Sequence, residues 1–283
     1  MIGAGAAWPA PAKLNLMLRV VGRRSDGYHL LQTVFQFIDL CDELSFALRD
    51  DGLIHRIDPI PGLDEADDLT VRAARLLQRE TGCLLGVDIH LVKRIPLGGG
   101  LGGGSSDAAT TLVALNRLWG CGLDDNRLMQ LGLQLGADVP VFIFGKAAWA
   151  EGVGEELQAI APPQPVYLLL APRCHVDTGL VFQDPELTRN SDRITIRDFL
   201  AGQHRNDCLH VVRKRYPEVM QAFDWLNKNA KARLTGTGAC VYAPFTGRSE
   251  AQRLLARRPD GLTGYVVQGC NHSPLQQRAT QDA

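Results

Sequence analysis

A glycine-rich segment at residues 96–107 is the part of this sequence best suited to binding a charged ligand. Glycine fills every position from 98 to 104 except Leu101, and the segment ends in Ser-Ser-Asp. Glycine lets the backbone approach a ligand closely and adopt a positive φ. A helix that follows such a segment adds free N–H groups and about half a positive charge at its N-terminus. Together these features predict a cradle for phosphate oxygens.

The residues on either side of the glycines indicate a strand and a helix. Residues 87–91 alternate between apolar and polar side chains, which predicts a strand that runs to about Ile95. The apolar residues between 108 and 119 fall on one helical face, and Gly120 is suited to end that helix. Residues 105–107 then lie at or near the helix cap. A flexible linker, the alternative, rarely has such neighbours.

The common phosphate-binding loops match this segment only in part. A Walker A sequence requires a lysine where Ser105 stands. Gly98, Gly100 and Gly103 fit the dinucleotide fingerprint, but residues 124–125 open a helix where that fingerprint places an acidic residue after a strand. The His-Arg-Asp and Asp-Phe-Gly motifs of protein kinases are absent from the sequence. The segment therefore indicates a phosphate loop of another family.

Two further places could contribute chemistry. Residues 13–20 alternate, which predicts a half-buried strand with Lys13 and Asn15 together on its polar face. Lys13 is thus a possible phosphate or substrate contact. Asp138 stands among small and apolar residues, an uncommon place for a carboxylate, although a turn or cap aspartate fits equally well. The apolar run at 141–144 predicts a strand.

The elements that must position these residues mix strands and helices without a regular βαβ order. Two strands are predicted at 30–38 and 44–48, and helices at about 69–81, 125–135 and 206–228, the last interrupted near Pro217. This mixture favours an α+β fold. A proline-rich run at 161–165 predicts a boundary between domains at 1–162 and 163–283.

Composition excludes several functional classes. The chain has 283 residues, a net charge of −1 and seven scattered cysteines. We therefore expect a cytoplasmic protein with reduced thiols that binds neither nucleic acid nor membrane. Residues 1–8 lack the basic and apolar regions of a signal peptide. No spacing of cysteine and histidine indicates a zinc site.

Three segments resemble the motifs of the GHMP kinases, the galactokinase, homoserine, mevalonate and phosphomevalonate kinase group. They are residues 11–16, the glycine-rich loop at 96–106, and the second glycine turn at 234–240. Residues 22–29, 136–140 and 271–275 resemble the branch of this family whose acceptor is a cytidyl-linked methylerythritol of isoprenoid biosynthesis. The resemblance extends from Trp8 to Leu275, which is nearly the whole chain.

The resemblance implies a two-domain GHMP kinase fold, with an N-terminal ribosomal-protein-like domain and a C-terminal ferredoxin-like domain. It implies ATP and Mg²⁺ as cofactors, a small cytidyl substrate in the cleft between the domains, and no protein partner. Ser106 is a candidate ligand of Mg²⁺, for which no carboxylate is assigned. The residues expected to bind ATP are Pro96, Leu97, Gly98, Gly99, Gly100, Leu101, Gly102, Gly103, Gly104, Ser105 and Ser106.

By the same resemblance Asp138 is the general base and Lys13 is its partner. Substrate contacts are expected at Asn15, on the methylerythritol side, and at four residues of the cytidyl site, Tyr28, His29, Thr178 and Phe182. Two alternatives stay open at this point: a kinase of another small alcohol such as mevalonate, and a nucleotide-binding regulator on the same fold. Retention of Lys13 and Asp138 favours an enzyme over a regulator.

Overall fold

The computed structural model describes residues 7–59 and 62–281. The prediction that residues 1–8 are not a signal peptide therefore falls mostly outside the described residues. The strands are β1 (Trp8–Arg23), β2 (His29–Arg49), β3 (Ile54–Arg56), β4 (Gly86–Val92), β5 (Ala148–Glu151), β6 (Glu156–Ala159), β7 (Val166–Ala171), β8 (Arg233–Leu234), β9 (Val241–Phe245) and β10 (Thr263–Cys270). The helices are α1 (Leu69–Thr81), α2 (Gly103–Leu118), α3 (Asp125–Leu135), α4 (Val139–Phe144), α5 (Thr178–Gln183), α6 (Ile196–Leu200), α7 (Cys208–Arg215), α8 (Pro217–Asn227), α9 (Arg248–Leu255) and α10 (Pro274–Gln281). This mixture confirms the predicted α+β class.

The strands form one connected sheet. Its main path runs β3-β4-β2-β10-β7-β9-β8, while β1 pairs with β2, and β5 lies between β2 and β6. β10 lies in the middle of this path, where it connects β2 on one side with β7 on the other. Residues 263–268 of β10 pair with β7, and Gly269 and Cys270 then pair with β2.

Three hydrophobic clusters fill the space between the sheet and its helices. The first packs α1, α2, α3 and α4 on β2 and β4, and it includes Leu275 and Ala279 of α10. The second packs α7, α8 and α9 on β7 and β9. In the third, Leu14 and Met17 of β1 are buried with Leu169 and Tyr242. Strand β1 contributes buried residues to all three clusters.

The prediction that β1 is half-buried is wrong. Lys13 and Asn15 are only 3% and 4% exposed, and their side chains contact Gly100, Asp138 and Thr33 of the surrounding elements. A strand covered on both faces normally has apolar residues on both. The polar residues of β1 therefore face an internal site and not open solvent.

Other differences concern short apolar runs. Residues 141–144 belong to helix α4 and not to a strand, since Pro140 favours the first turn of a helix and the run is too short to show a period. The two strands predicted at 30–38 and 44–48 are one strand, β2. The strand before the glycine loop ends at Val92, three residues before Ile95. No sequence pattern predicted β5, β6, α6 or α10.

Two helices of the N-terminal half begin with an aspartate cap. The Asp68 side chain accepts a hydrogen bond from the Thr70 N–H at the start of α1, and Gly82 ends that helix with φ 67°. The Asp124 side chain caps α3 in the same way. Among the helices of the described chain, none has the length and hydropathy that crossing a bilayer requires.

Candidate active site

An open pocket of about 630 Å³ lies where β1, the glycine loop, the start of α4 and helix α5 meet. Ten of the predicted site residues line it: Lys13, Asn15, Tyr28, His29, Gly100, Gly102, Ser105, Asp138, Thr178 and Phe182. The remaining predicted loop residues do not line this pocket: Pro96, Leu97, Gly98, Gly99, Leu101, Gly103, Gly104 and Ser106. Residues far apart in sequence thus meet around one cavity.

Lys13 and Asp138 form an ion pair at the wall of this pocket. The Lys13 Nζ atom lies 3.1 Å from Asp138 Oδ2, 2.6 Å from Asn15 Oδ1 and 3.2 Å from the Gly100 carbonyl oxygen. The ammonium group therefore has two hydrogen bonds and one ion pair. The Asp138 side chain is 36% exposed and is not used to cap α4. Its carboxylate is therefore held by Lys13 and still open to a ligand.

Hydrogen bonds join the first glycine loop to β1 and to the second glycine turn. Thr235 Oγ1 accepts from the Asn15 N–H at 3.0 Å and donates to the Gly100 carbonyl at 3.2 Å. The N–H groups of Ala239 and Cys240 donate to the Gly98 and Gly99 carbonyls at 3.2 and 3.1 Å. Glycines 98–100 thus serve mainly to let two loops approach each other.

The start of helix α2 has a geometry suited to an anion. Gly102 is the N-cap residue with φ 72°, and α2 begins at Gly103, so Ser105 and Ser106 lie in the first turn. A Cβ atom on Gly102 would lie 2.9 Å from Phe142 Cζ and 3.1 Å from Lys13 Cε. The first N–H groups of a helix have no acceptor within it, and they attract anions. The loop can therefore hold phosphate oxygens next to Lys13.

The opposite end of the pocket is aromatic. The rings of His29 and Phe182 stack with centroids 5.1 Å apart and an interplanar angle of 30°. The Tyr28 side chain is 63% exposed at the same end. Thr178 shares a hydrogen bond of 2.9 Å with Thr237, between the two hydroxyl oxygens. This end can receive a flat ring such as a pyrimidine, because aromatic faces bind such rings by stacking.

A buried charge cluster lies behind the glycine loop. Lys93 Nζ contacts Asp42 and lies 2.7 Å from Asp107 Oδ2, and both carboxylates are buried. The Asp42 Oδ1 atom also accepts the N–H groups of Arg94 and Ile95. Burial raises the pKa of Asp107 to about 7, against the attraction of Lys93. Burial also disfavours charged Lys93, but the two carboxylates outweigh it and raise the pKa of Lys93. The cluster ties the segment before the loop to α2.

Replacement of Asp42 tests how much this cluster stabilises the fold. Asp42→Ala is expected to lower the free energy of unfolding by about 3–5 kcal/mol, because it removes one partner of a buried ion pair. Denaturant unfolding measures the change. The neighbouring Glu43→Gln is the matched control, since Glu43 pairs with Arg94 on the surface and such pairs contribute about 1 kcal/mol at most. Equal losses in the two variants would contradict a buried cluster.

Within the described residues, no group of three or more His, Cys, Asp or Glu side chains could hold a metal ion by itself. The Ser106 hydroxyl is fully buried beside the loop, and it has no hydrogen-bond partner in the part of the chain described. An unsatisfied oxygen at this place fits a single ligand of a Mg²⁺ ion, since Mg²⁺ usually takes most of its ligands from phosphates and water.

Several residues of the site were missed by the sequence analysis. Thr237 and Gly27 line the pocket, and Arg189 contacts His29. Thr237 lies within the second glycine turn, so that motif was a signal for it. Arg189 is 160 residues from His29 and has no motif, so no local signal could have found it.

Comparison with known proteins identifies the class to which this fold and site belong. Models of the GHMP kinases N terminal domain and the GHMP kinases C terminal match residues 68–146 and 186–261. The chain belongs to the GHMP kinase family, whose members are ATP-dependent phosphotransferases.

The names of individual relatives indicate a particular kinase within this family. A Nitrosococcus oceani protein named 4-diphosphocytidyl-2-C-methyl-D-erythritol kinase is 56% identical over 268 residues, covering 95% of this chain and 96% of its own. A protein of the same name from Pseudomonas syringae pv. syringae is 55% identical over 270 residues, with coverage of 95% and 96%.

Solved structures agree with this grouping. A crystal structure of 4-(cytidine 5'-diphospho)-2C-methyl-D-erythritol kinase has a TM-score of 0.81 and 32% identity, covering 93% of this chain and 99% of its own. A crystal structure of mevalonate kinase has a TM-score of 0.68 at 15% identity, covering 95% and 100%, which shows a common fold.

Proposed function

We propose that this chain transfers the γ-phosphoryl group of ATP to the tertiary hydroxyl of 4-diphosphocytidyl-2-C-methyl-D-erythritol. The products are the 2-phosphate of that alcohol and ADP, and the reaction belongs to non-mevalonate isoprenoid biosynthesis. One observation carries the proposal: the Lys13–Asp138 pair, the N-terminus of α2 and the His29–Phe182 stack all border one pocket. The printed names of the relatives support the same acceptor.

Asp138 is the proposed general base. A carboxylate beside the acceptor hydroxyl can orient it and take its proton, which typically raises a rate by about 10²–10⁴-fold. Because its ammonium group is already hydrogen-bonded to Asn15 and Gly100 and paired with Asp138, Lys13 acts chiefly by holding Asp138 and the Gly100 carbonyl in place. Direct contact with the transferred group would require it to exchange one of these partners.

ATP is the proposed occupant of the loop at residues 96–106. The start of α2 supplies N–H donors for its phosphates, and phosphoryl transfer depends mainly on such positioning and charge stabilisation. Mg²⁺ bound to ATP would neutralise phosphate charge, and the unsatisfied Ser106 hydroxyl is the proposed protein ligand.

We also propose a domain boundary at 162/163 and a cytoplasmic location, which limited proteolysis and cell fractionation test.

Measurement of ADP release with a panel of alcohols tests the proposed function. We expect turnover with the cytidyl alcohol, and at most slow turnover with mevalonate or homoserine. Preference for mevalonate would favour the second candidate acceptor, which Tyr28, His29 and Phe182 argue against because mevalonate has no ring to stack on them. ATP binding without any turnover would favour a regulator.

Truncation of the aromatic residues tests the substrate end of the pocket. Phe182→Ala or Tyr28→Ala is expected to weaken binding of the cytidyl alcohol by about 1–3 kcal/mol, as other base–aromatic stacks do, while the Kd for ATP stays nearly constant. Calorimetry with each ligand measures both. Tyr265→Ala, in β10 and outside the pocket lining, is the matched control. Equal losses for both ligands would indicate general destabilisation and contradict the assignment.

A further inference from the structure

Arg189 makes an unusually complete set of contacts at the aromatic end of the pocket. Its Nη2 atom donates to the carbonyl oxygens of Phe182 and Asp184 at 2.9 and 2.8 Å, and its Nη1 atom donates to the Leu187 carbonyl at 3.2 Å. Its Nε atom donates to Nε2 of His29 at 3.1 Å. One guanidinium group therefore fixes both the backbone of Phe182 and the ring that stacks on Phe182.

The contact between Arg189 and His29 restricts the proton on the imidazole. A guanidinium group only donates hydrogen bonds and is always protonated. The Nε2 atom of His29 must therefore accept with its lone pair, which places the proton of the neutral ring on Nδ1. A protonated ring has no lone pair to offer, so the contact also disfavours the imidazolium form. Burial, then Arg189, then Arg23 lower the pKa of His29.

We propose that Arg189 is a positioning residue that holds His29 as the neutral tautomer protonated at Nδ1. His29 then offers the pocket a single N–H donor and suits a ring that presents acceptor atoms, as cytosine does with O2 and N3. The inference about the tautomer stands on the geometry of the unliganded protein. Its use in recognising a cytidyl group rests on the proposed function.

Spectroscopy of the wild-type protein without ligand tests the tautomer directly. Long-range ¹H–¹⁵N correlation spectra of the ¹⁵N-labelled protein distinguish the two neutral tautomers of each histidine, and His29→Gln assigns the signal. We expect the Nδ1–H form for His29 at pH 7.5, and a proton on Nε2 would overturn the proposal. This outcome does not depend on the acceptor, so it separates failure of the inference from failure of the proposed function.

Variants of Arg189 test the consequence for binding. Arg189→Met is expected to raise the KM for the cytidyl alcohol about tenfold, as loss of one oriented hydrogen bond would, and to leave kcat and the KM for ATP within about twofold. In the same variant the pKa of His29 should rise toward its ordinary value of about 6.5. Two other charged features lie in the turn before His29. Arg23 is still present in the variant and continues to lower the pKa of His29, while Asp26 pairs with Arg24 at 2.8 Å. Because the imidazolium form also carries a proton on Nδ1, the KM of the variant, unlike that of the wild type, should decrease below about pH 6.5.

Two further variants complete the experiment. Arg189→Lys keeps the charge and part of the donor set, so it should recover part of the affinity lost in Arg189→Met. Arg193→Met removes an exposed arginine four residues later, which pairs with Glu151, and should not change the KM for the cytidyl alcohol. A folded Arg189→Met variant with an unchanged KM, or with equal increases of both KM values, would overturn the positioning role.

Discussion

Asp138→Asn is expected to lower turnover by about two to four orders of magnitude, with changes of less than about tenfold in the Kd for ATP and for the cytidyl alcohol. The amide keeps the shape of the side chain, but it cannot accept the proton of the acceptor hydroxyl. It also loses the charge that pairs with Lys13 at 3.1 Å. Steady-state kinetics and calorimetry on the same preparation measure the two effects separately.

The structure provides a control for this substitution. Asp125 lies exposed in the first turn of α3, so Asp125→Asn makes the same chemical change away from the pocket and should leave turnover unchanged. A folded Asp138→Asn variant with near wild-type turnover would contradict the general-base role. That result would mean that Asp138 only orients the hydroxyl, since a loose phosphoryl-transfer transition state needs little early deprotonation.

Coupling between Lys13 and Asp138 can be measured with a double-mutant cycle. Lys13→Met should also reduce turnover strongly, because it frees Asp138 and removes the hydrogen bonds to Asn15 and Gly100. The double variant should lose less than the sum of the single losses, since each single change already breaks the pair. Simple additivity would show that the two residues act independently.

Gly102→Val is expected to weaken ATP binding by at least about a hundredfold, because the left-handed backbone at φ 72° is strongly disfavoured for a β-branched residue. The added side chain would also crowd Phe142 and the Lys13 methylene groups. Both effects displace the first N–H groups of α2 from their positions around a phosphate. Fluorescence titration with a labelled nucleotide measures the loss, and circular dichroism reports whether the variant folds.

The control for Gly102 separates backbone strain from crowding. Gly122 has nearly the same backbone, φ 71°, but a Cβ there meets no atom within 4 Å and lies outside the nucleotide loop. Gly122→Ala should therefore lose about 1–2 kcal/mol of stability from backbone strain alone, whereas Gly102→Ala should lose more and also weaken nucleotide binding. Unchanged nucleotide affinity in a folded Gly102→Val variant would show that the phosphates bind elsewhere.

Much of the site could be predicted from sequence because its residues belong to short motifs. The glycine loop is predicted by its composition, and helix α2 is predicted by the spacing of its apolar residues. The roles of Lys13 and Asp138 were predicted only through the resemblance, since a lone lysine on a strand and a lone aspartate after an alanine have no distinctive spacing. Their ion pair depends on how β1, the loop and α4 pack, which no local pattern contains.

The parts that could not be predicted depend on tertiary contacts. Residues 141–144 are apolar on every side because α4 is buried between other elements, and such a run shows neither the helix nor the strand period. β1 appeared half-buried because its polar residues alternate, yet those residues face the site. The contacts of Arg189 with His29, and of Lys93 with Asp42 and Asp107, join residues that are distant in sequence. No local sequence pattern predicts them.

The position of β10 has a consequence for synthesis on the ribosome. β10 supplies the strand that connects β2 with β7, and α10, which follows it, adds Leu275 and Ala279 to the first hydrophobic cluster. Until residues 263–281 have left the exit tunnel, the β7 edge and part of β2 lack their final neighbour. Unpaired strand edges of this kind promote aggregation. We therefore expect nascent chains stalled before residue 263 to stay open to chaperones and proteases, and native structure to form only after these residues emerge.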